Sequence, residues 1–154
     1  MAISPLGFEG GAAEAFDVEV NRKTGRVRVQ RVVVAIDAGL IINPDAVMQM
    51  AQGGVIFGMS RALKEERRFD RSKITSVDWA TYPIITFSEV PQEIDVLLID
   101  RPDQPPAGIG EPPNVPVAAG IANAIFDATG VRIRRQPFTP KRVLAALKQA
   151  GKAM

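Results

Sequence analysis

The chain has 154 residues, and it contains neither cysteine nor histidine. This length fits one domain, and a hydrophobic content of 46 % can fill its core, which argues against overall disorder. The lack of cysteine excludes a disulfide framework, a thiolate nucleophile and a cysteine-based zinc or iron–sulfur site. The lack of histidine excludes the Ser-His-Asp triad and the HExxH zinc motif. Chemistry here must therefore use carboxylates, lysine, arginine, tyrosine, hydroxyls, backbone groups or a bound cofactor.

Positive charge is concentrated at the C-terminal end. The formal net charge is +2, but residues 132–154 contain seven basic and no acidic side chains. Basic segments of this kind occur in nucleic-acid-binding proteins, where aromatic residues accompany them. Phe138 is the only aromatic residue in this segment. We therefore interpret 132–154 as a basic C-terminal arm and a solvated helix, and expect no nucleic-acid partner.

Neither a membrane span nor a signal peptide is visible in the sequence. No segment reaches the run of about 18 apolar residues that a transmembrane helix needs. Residues 1–13 lack a basic start followed by a long apolar run, which is the mark of a secretory signal. We expect no membrane span and no signal within this chain.

The first predicted element is a β-hairpin. Residues 16–20 alternate apolar and acidic side chains, which is the period-two pattern of a half-buried strand. The segment 21–25 favours a tight turn closed by glycine, and residues 27–29 resume the alternation. The unbroken apolar run 32–36 indicates a strand buried on both faces. The hairpin is therefore predicted to be half exposed at its turn and buried beyond it.

A long helix is predicted to follow. Asn43 is a good N-cap and Pro44 suits the first helical position, so we expect a helix from there to about Glu66. Its middle contains three glycines, each of which costs about 1 kcal/mol relative to alanine. Either close helix–sheet packing or the close approach of a ligand explains them. These glycines are Gly53, Gly54 and Gly58.

The remaining pattern completes an α+β fold. An extended segment is predicted over 79–87, a strand over 93–100, a stiff proline-rich loop from 101, a buried helix from about 115 to Gly130, and a last helix capped by Thr139. We expect one unit, 1–154, in which a β-hairpin and mixed sheet pack against two main buried helices plus a C-terminal helix.

Two acidic residues are candidates for chemistry. Glu111 lies in the run Gly108-Ile109-Gly110-Glu111-Pro112-Pro113, where glycines allow a tight fold and prolines remove freedom. Such a carboxylate at the mouth of an apolar region suits a general base with a raised pKa, although composition alone favours a solvated turn residue. Asp37 ends a predicted strand, and we interpret it as a turn residue that bonds its own backbone.

The sequence resembles a known family over about residues 13–148. The similarity lies in RVRVQRVVVAIDAGLIINPD (26–45), in residues 53–84, and in residues 99–135, which contain the Gly-x-Gly-Glu loop followed by AGIANAIF. These stretches are similar to the C-terminal part of the molybdopterin-binding large subunit of molybdenum hydroxylases, the xanthine dehydrogenase/aldehyde oxidase family. The similarity is greatest to the bacterial isoquinoline 1-oxidoreductase and nicotinate dehydrogenase types.

The resemblance implies a function. It makes Glu111 the general base in the oxidation of an aldehyde or N-heteroaromatic substrate with water-derived oxygen. The cofactor would be molybdopterin, in bacteria usually the cytosine dinucleotide form, which holds molybdenum without protein ligands. The positions carried over as cofactor-binding are Gly53, Gly54, Gly108, Gly110 and Gln52.

Further parts of such an enzyme are implied to lie outside this chain. Electrons would leave to a [2Fe–2S] cluster on a separate iron–sulfur subunit. The N-terminal remainder of the large subunit, or a split partner chain, would complete the cofactor and substrate sites. The expected location is the cytoplasm, or the periplasm by way of a partner's signal.

One departure from the family pattern concerns the first long helix. The family commonly has glutamine, which contacts the pterin, three residues before the paired glycines, and this chain has Met50 there. Gln49 and Gln52 project about 100° and 200° away from it around the helix. The alternative to an enzyme component is therefore a non-catalytic remnant that only pairs with a partner chain.

Overall fold

The computed structural model describes residues 2–6 and 10–154. Four strands form one mixed sheet in the order β1 (Ala2–Leu6), β2 (Gly10–Val20), β3 (Val27–Asp37) and β4 (Glu93–Ile99). The β1–β2 and β2–β3 pairs are antiparallel, and β4 is parallel to β3. The mixed sheet and the α+β class are confirmed. Residues 1 and 7–9 of the N-terminal segment lie outside the described residues.

The β2–β3 hairpin is confirmed with its predicted turn. Asn21 Oδ1 accepts hydrogen bonds of 3.0 Å from the backbone N–H groups of Lys23 and Thr24. Phe16 pairs with Val32, and a bulge follows between Asp17 and Val18. The β1 strand was not predicted, because its five residues include a proline and show no clear alternation.

The helices are α1 (Pro44–Leu63), α2 (Val117–Thr129) and α3 (Pro140–Gln149). Asn43 and Thr139 cap α1 and α3 as expected, each accepting from a backbone N–H three residues on. Gly130 ends α2 in the left-handed conformation, with φ of 71°. The α1 helix ends three residues earlier than expected, because the N–H groups of Lys64 and Glu65 both donate to Ser60 O.

The core lies between one face of the sheet and the helices. The α2 helix contacts β2, and α1 contacts β3, β4 and α2. Residues of β3, α1 and α2 that have no solvent exposure fill this layer, and α3 closes one end with two more. They are Val32, Val34, Ile36, Val55, Met59, Ile121, Ile125, Val143 and Leu147.

The prediction of an extended segment over 79–87 is wrong. Residues 79–82 form a turn, and Phe87–Glu89 form a short 3-10 helix. In both features, a side-chain oxygen accepts a hydrogen bond from a backbone N–H three residues away. Asp78 Oδ1 accepts from Thr81 N at 2.8 Å, and Glu89 Oε2 accepts from Thr86 N at 2.9 Å. Short polar side chains that bond nearby backbone compete with extended structure.

Burial is less complete than the apolar patterns indicated. Within the described part of the chain, β3 is covered on one face, and Val33 and Ala35 on the other are only half-buried. The α2 helix likewise leaves one side open, with Phe126 41 % exposed. An apolar pattern indicates which side chains favour burial, whereas the described residues cover the sheet on one face only.

The basic segment 132–154 contains α3 and also contributes to the core. Ile133 and Phe138 are buried, and Phe138 N donates to Ala62 O at 2.7 Å. Arg142 pairs with Glu66 at 2.7 Å, which ties α3 to the residues that follow α1. Arg132 lies 4.1 Å from the centroid of the Phe126 ring. These contacts hold the segment against the rest of the fold.

Candidate functional site

Two anchors hold the loop that carries Glu111. Upstream, Ala107 N donates to Ala38 O at 2.8 Å, which ties the loop to the end of β3. Downstream, Pro113 packs against α1, where a Cβ placed on Gly54 would lie 2.9 Å from Pro113 Cγ. Glu111 lies on the short span between these contacts. The span is thereby fixed upstream to the end of β3 and downstream to α1.

The upstream anchor is reinforced by Asp37. Its carboxylate accepts from Gly39 N at 3.1 Å, which confirms the turn interpretation, and it also pairs with Arg101 at 2.9 Å. Gly39 has a φ of 65°, and a Cβ there would overlap the carbonyl oxygen of Pro105. No local pattern predicts the pairing with Arg101, because 64 residues separate the two side chains.

Downstream of Glu111 the chain turns directly into α2. The carbonyl of Glu111 accepts from Asn114 N at 2.9 Å and from Val115 N at 3.2 Å. Pro112 and Pro113 are buried, whereas Glu111 is exposed. The backbone under the carboxylate is therefore fixed, while the described residues leave the carboxylate itself open to solvent.

The glycines of the candidate site fall into two groups. Gly54 and Gly58 are packing glycines, because a Cβ would meet Pro113 at the first and Val117 at the second. A Cβ on Gly53, Gly108 or Gly110 would have no heavy atom within 4 Å. Packing within the described chain therefore gives no reason for these three glycines. In the helix, Gly53 even costs about 1 kcal/mol relative to alanine.

An apolar groove of about 250 Å³ adjoins the Glu111 loop. It lies between the β3–α1 connection, the first turns of α1 and the segment 106–109, with Met50 and Ile109 in its lining. Gln52 points elsewhere, since its Nε2 lies 3.4 Å from Ile94 O on β4. From α1, the groove is lined by Ala46, Val47 and the thioether side chain of Met50.

The buried carboxyl group of Glu14 was not predicted from the sequence. Glu14 is 1 % exposed, and neither of its oxygens has a hydrogen-bond partner among the described residues. Burial raises its pKa from 4.5 to about 8, so the group is mostly protonated at neutral pH. The alternation could have predicted its burial, because Glu14, Phe16 and Val18 are spaced two residues apart and so lie on the same face of the strand.

The position of Glu14 relative to α2 follows from two contacts. Gly120 lies over the ring of Phe16, and Arg22 donates to Ala128 O at 3.0 Å. The α2 helix therefore runs in the same direction as β2. Glu14 precedes Phe16 on the same face, so it lies toward the end of α2 that follows the Glu111 loop.

Comparison with known proteins identifies the family. Residues 6–91 match the sequence profile of the molybdopterin cofactor-binding domain. Since this match covers more than half of the chain, the chain belongs to the molybdopterin cofactor-binding domain family. Glu111 lies beyond the matched residues.

Individual relatives are much longer proteins. A nicotinate dehydrogenase subunit of Pseudomonas putida is 51 % identical over 140 residues, which are 91 % of this chain and 12 % of that protein. An isoquinoline 1-oxidoreductase subunit of Brevundimonas diminuta is 34 % identical over 88 % of this chain and 17 % of its own length. The solved aldehyde oxidoreductase of Desulfovibrio gigas has a TM-score of 0.75 and 34 % identity, over 85 % of this chain and 15 % of that one.

The residues present fit the cofactor that the family name implies. A flat, polyanionic pterin needs exposed backbone that it can approach closely, and the open space at Gly53, Gly108 and Gly110 provides it. Among the described residues, no group of three acidic side chains is arranged to hold a metal ion. No helix among the described residues is long and apolar enough to cross a membrane.

Proposed function

We propose that this chain is a component of a molybdenum-dependent hydroxylase or dehydrogenase that oxidises an aldehyde or N-heteroaromatic compound with oxygen from water. The observation that carries the proposal is the geometry of the Glu111 loop. It presents one carboxylate between fixed anchors and carries Gly108 and Gly110, which packing among the described residues does not require. The names of the relatives support the substrate classes, since they include a nicotinate dehydrogenase and an aldehyde oxidoreductase.

The proposed cofactor is molybdopterin in its cytosine dinucleotide form, carrying molybdenum. When bound, it supplies the redox chemistry, and the protein supplies orientation and proton transfer. Gly53, Gly108 and Gly110 would allow its close approach. Gly54 acts differently from the other cofactor-binding candidates, because it holds Pro113 in place. Gln52 remains a candidate contact only if its long bond to Ile94 O is exchanged for one to the cofactor.

The proposed role of Glu111 is that of general base. Its carboxylate would accept the proton released as oxygen is transferred to the substrate carbon. The anchored backbone limits the directions that this carboxylate can take, which favours proton transfer over a short distance. Closure of the apolar groove by the rest of the enzyme would remove water from beside the Glu111 loop.

The proposed partners complete what this chain lacks. The chain spans 12 to 17 % of the length of these relatives. We therefore propose that the remainder of a large subunit, or a split partner chain, supplies the rest of the cofactor and substrate site. An iron–sulfur subunit with a [2Fe–2S] cluster would receive the electrons.

The test is co-expression of this chain with the products of the adjacent reading frames. The purified complex is assayed for molybdenum and for oxidation of aldehydes and N-heterocycles. Glu111→Gln is expected to retain molybdenum and to lower kcat by about 10² to 10⁴, the usual range for loss of a general base. Asp103→Asn, an exposed acid in the preceding loop, is the matched control. Unchanged turnover in Glu111→Gln would disprove the base assignment.

A second candidate function is that of a non-catalytic pairing module. Met50 favours it, because a thioether stands where the family commonly has a glutamine that contacts the pterin. This alternative predicts a stable complex without molybdenum. The molybdenum content of the purified wild-type complex distinguishes the two, because a pairing module carries no cofactor and a cofactor-binding chain does.

A further inference from the structure

The side of the sheet turned away from the helices has an apolar centre, with charged residues on each strand beside it. We call this side the outer face. It consists of alternate residues on three adjacent strands, and the two large apolar side chains on β4 are exposed, Leu97 at 56 % and Ile99 at 47 %. Cross-strand pairing places Ala13, Ala35 and Leu97 in one row of this face. Its apolar residues are Ala13, Ala15, Val33, Ala35, Leu97 and Ile99, and the same register places Asp95 opposite Val33 and Asp37 opposite Ile99.

β3, the central strand of the outer face, is of the kind normally covered on both sides. It pairs in parallel with β4, and a near-continuous apolar run is typical of parallel strands that are buried on both faces. The apolar run of β3 has the composition of such a doubly buried strand. Among the described residues, α1 and α2 cover one face, and no helix covers the other. The outer face therefore lacks the layer that its sequence is suited to.

The shape of the outer face fits an α-helix. Alanines on β2 and β3 form a low floor, and Leu97 and Ile99 form a raised border along β4. A helix backbone can approach a floor of small side chains closely while its own apolar residues pack against such a border. A second sheet would instead require larger side chains across the whole floor to interdigitate.

One end of the outer face is acidic. Arg31 pairs with Glu93 at 3.2 Å and with Asp95 at 2.5 Å, and Asp17 lies opposite Arg31 on β2. One guanidinium thus faces three carboxylates. A basic side chain on the occupant would balance the excess. A second copy of this chain docked through its own outer face would bring the same acidic end and the same alanine floor, which do not supply this basic side chain.

We propose that the outer face is covered by an apolar α-helix with a basic residue at one end, contributed by the part of the large subunit that this chain does not contain. The proposal rests on the proposed function, because that function supplies the longer subunit. The relatives' lengths leave ample chain for such a helix, since this chain matches only 12 % of the P. putida nicotinate dehydrogenase subunit.

The test uses the absence of cysteine from this chain, which makes an introduced thiol unique within it. Leu97→Cys is prepared in the 154-residue chain and in a chimera, the full-length P. putida nicotinate dehydrogenase subunit whose matching segment has been replaced by this chain. The maleimide labelling rate at position 97 is expected to be fast in the isolated chain and about tenfold or more slower in the chimera, since a packed layer must open first. Lys23→Cys, at the exposed hairpin turn, is the control and is expected to label equally fast in both.

A second measurement covers failure of the chimera to fold. This chain is co-expressed with the P. putida subunit trimmed of its matching segment, and Leu97→Lys is expected to abolish the co-purification that wild type and Lys23→Cys show. Three results would overturn the proposal. They are equal labelling rates at position 97 in the isolated chain and the chimera, co-purification of Leu97→Lys equal to that of wild type, and a dimer of the isolated chain that protects position 97. An active chimera with position 97 exposed refutes only the outer-face proposal. A protected position 97 in an inactive, molybdenum-free chimera refutes only the proposed function.

Discussion

Gly54 of α1 and Pro113 of the Glu111 loop are in direct contact. A Cβ on Gly54 would lie 2.9 Å from Pro113 Cγ and 3.3 Å from Pro113 Cβ. Pro113 is itself fully buried, so its ring has little room to withdraw. The contact fixes the distance between the long helix and the loop that carries the candidate base. Stability and site geometry therefore depend on the same glycine.

Gly54→Ala is expected to lower the stability of the chain, whereas Gly53→Ala is expected to raise it. The first adds a methyl group against Pro113, at a cost of about 1 to 3 kcal/mol that exceeds the gain of about 1 kcal/mol in helix propensity. The second adds a methyl group to open space and keeps the propensity gain. Urea unfolding followed by circular dichroism measures both. Equal effects of the two substitutions would contradict the packing role of Gly54.

Gly53→Ala also tests the cofactor approach. In the assembled complex we expect this substitution to lower the molybdenum content, although it stabilises the isolated chain. Opposite signs in the two assays would identify a glycine kept for an external group. A variant complex with full molybdenum content would show that nothing approaches the backbone at this position.

Gly120→Ala is expected to destabilise the chain strongly. A Cβ there would overlap the Phe16 ring at Cε2 and Cδ2, so α2 must move away from β2 or the ring must change rotamer. We expect a cost of about 2 to 4 kcal/mol, at the upper end for overpacking. Adding Phe16→Leu makes room for the methyl group and should recover part of the loss, which a double-mutant cycle measures. Additive losses would rule out the contact as the cause.

Glu14 is expected to make the chain less stable as pH rises. Its pKa is about 8 in the folded chain and near 4.5 in the unfolded chain, so between these values only the folded state keeps the proton. The free energy of unfolding should therefore fall by up to about 1.4 kcal/mol per pH unit from pH 5 to pH 8 and level off above. Urea midpoints at pH 5, 6, 7 and 8 measure this slope.

The matched substitution is Glu14→Gln, which removes the titration and keeps the shape of the side chain. We expect it to flatten the slope and to raise stability at pH 7 by up to about 3 kcal/mol. Glu19→Gln, on the exposed side of the same strand, should leave the slope in place. A slope that persists in Glu14→Gln would show that another group causes it.

The ionised Glu89 is expected to stabilise the chain at neutral pH and to lose this effect in acid. Burial opposes its ionisation, but hydrogen bonds from Lys64 and Thr86 outweigh burial and lower its pKa to about 2. Its contribution is therefore complete above pH 4.5 and is lost as pH falls toward 2. Glu89→Gln should lower stability at pH 6 by about 1 to 2 kcal/mol and have little effect at pH 2. Thermal unfolding at both pH values tests this, and an equal loss at each would exclude the ionised pair as its source.

Elements whose signals are local could be predicted from the amino-acid sequence alone. The alternation around Phe16, the capping residues Asn43 and Thr139, and the terminal Gly130 each act within a few residues of the chain. Backbone conformation at such positions depends on side-chain type and on immediate neighbours, so the hairpin and all three helices were predictable. The resemblance to the family depended on the same kind of contiguous pattern.

The effects of these elements on one another follow from how they pack in three dimensions. Gly53 and Gly54 are equivalent in sequence, yet one meets open space and the other meets Pro113, because the 111–113 loop packs against a single side of α1. Glu14 is a buried acid without a hydrogen-bond partner among the described residues because α2 packs over β2. Contacts between residues far apart in the chain depend on the packing of whole elements, and their energies appear only once those elements are in place.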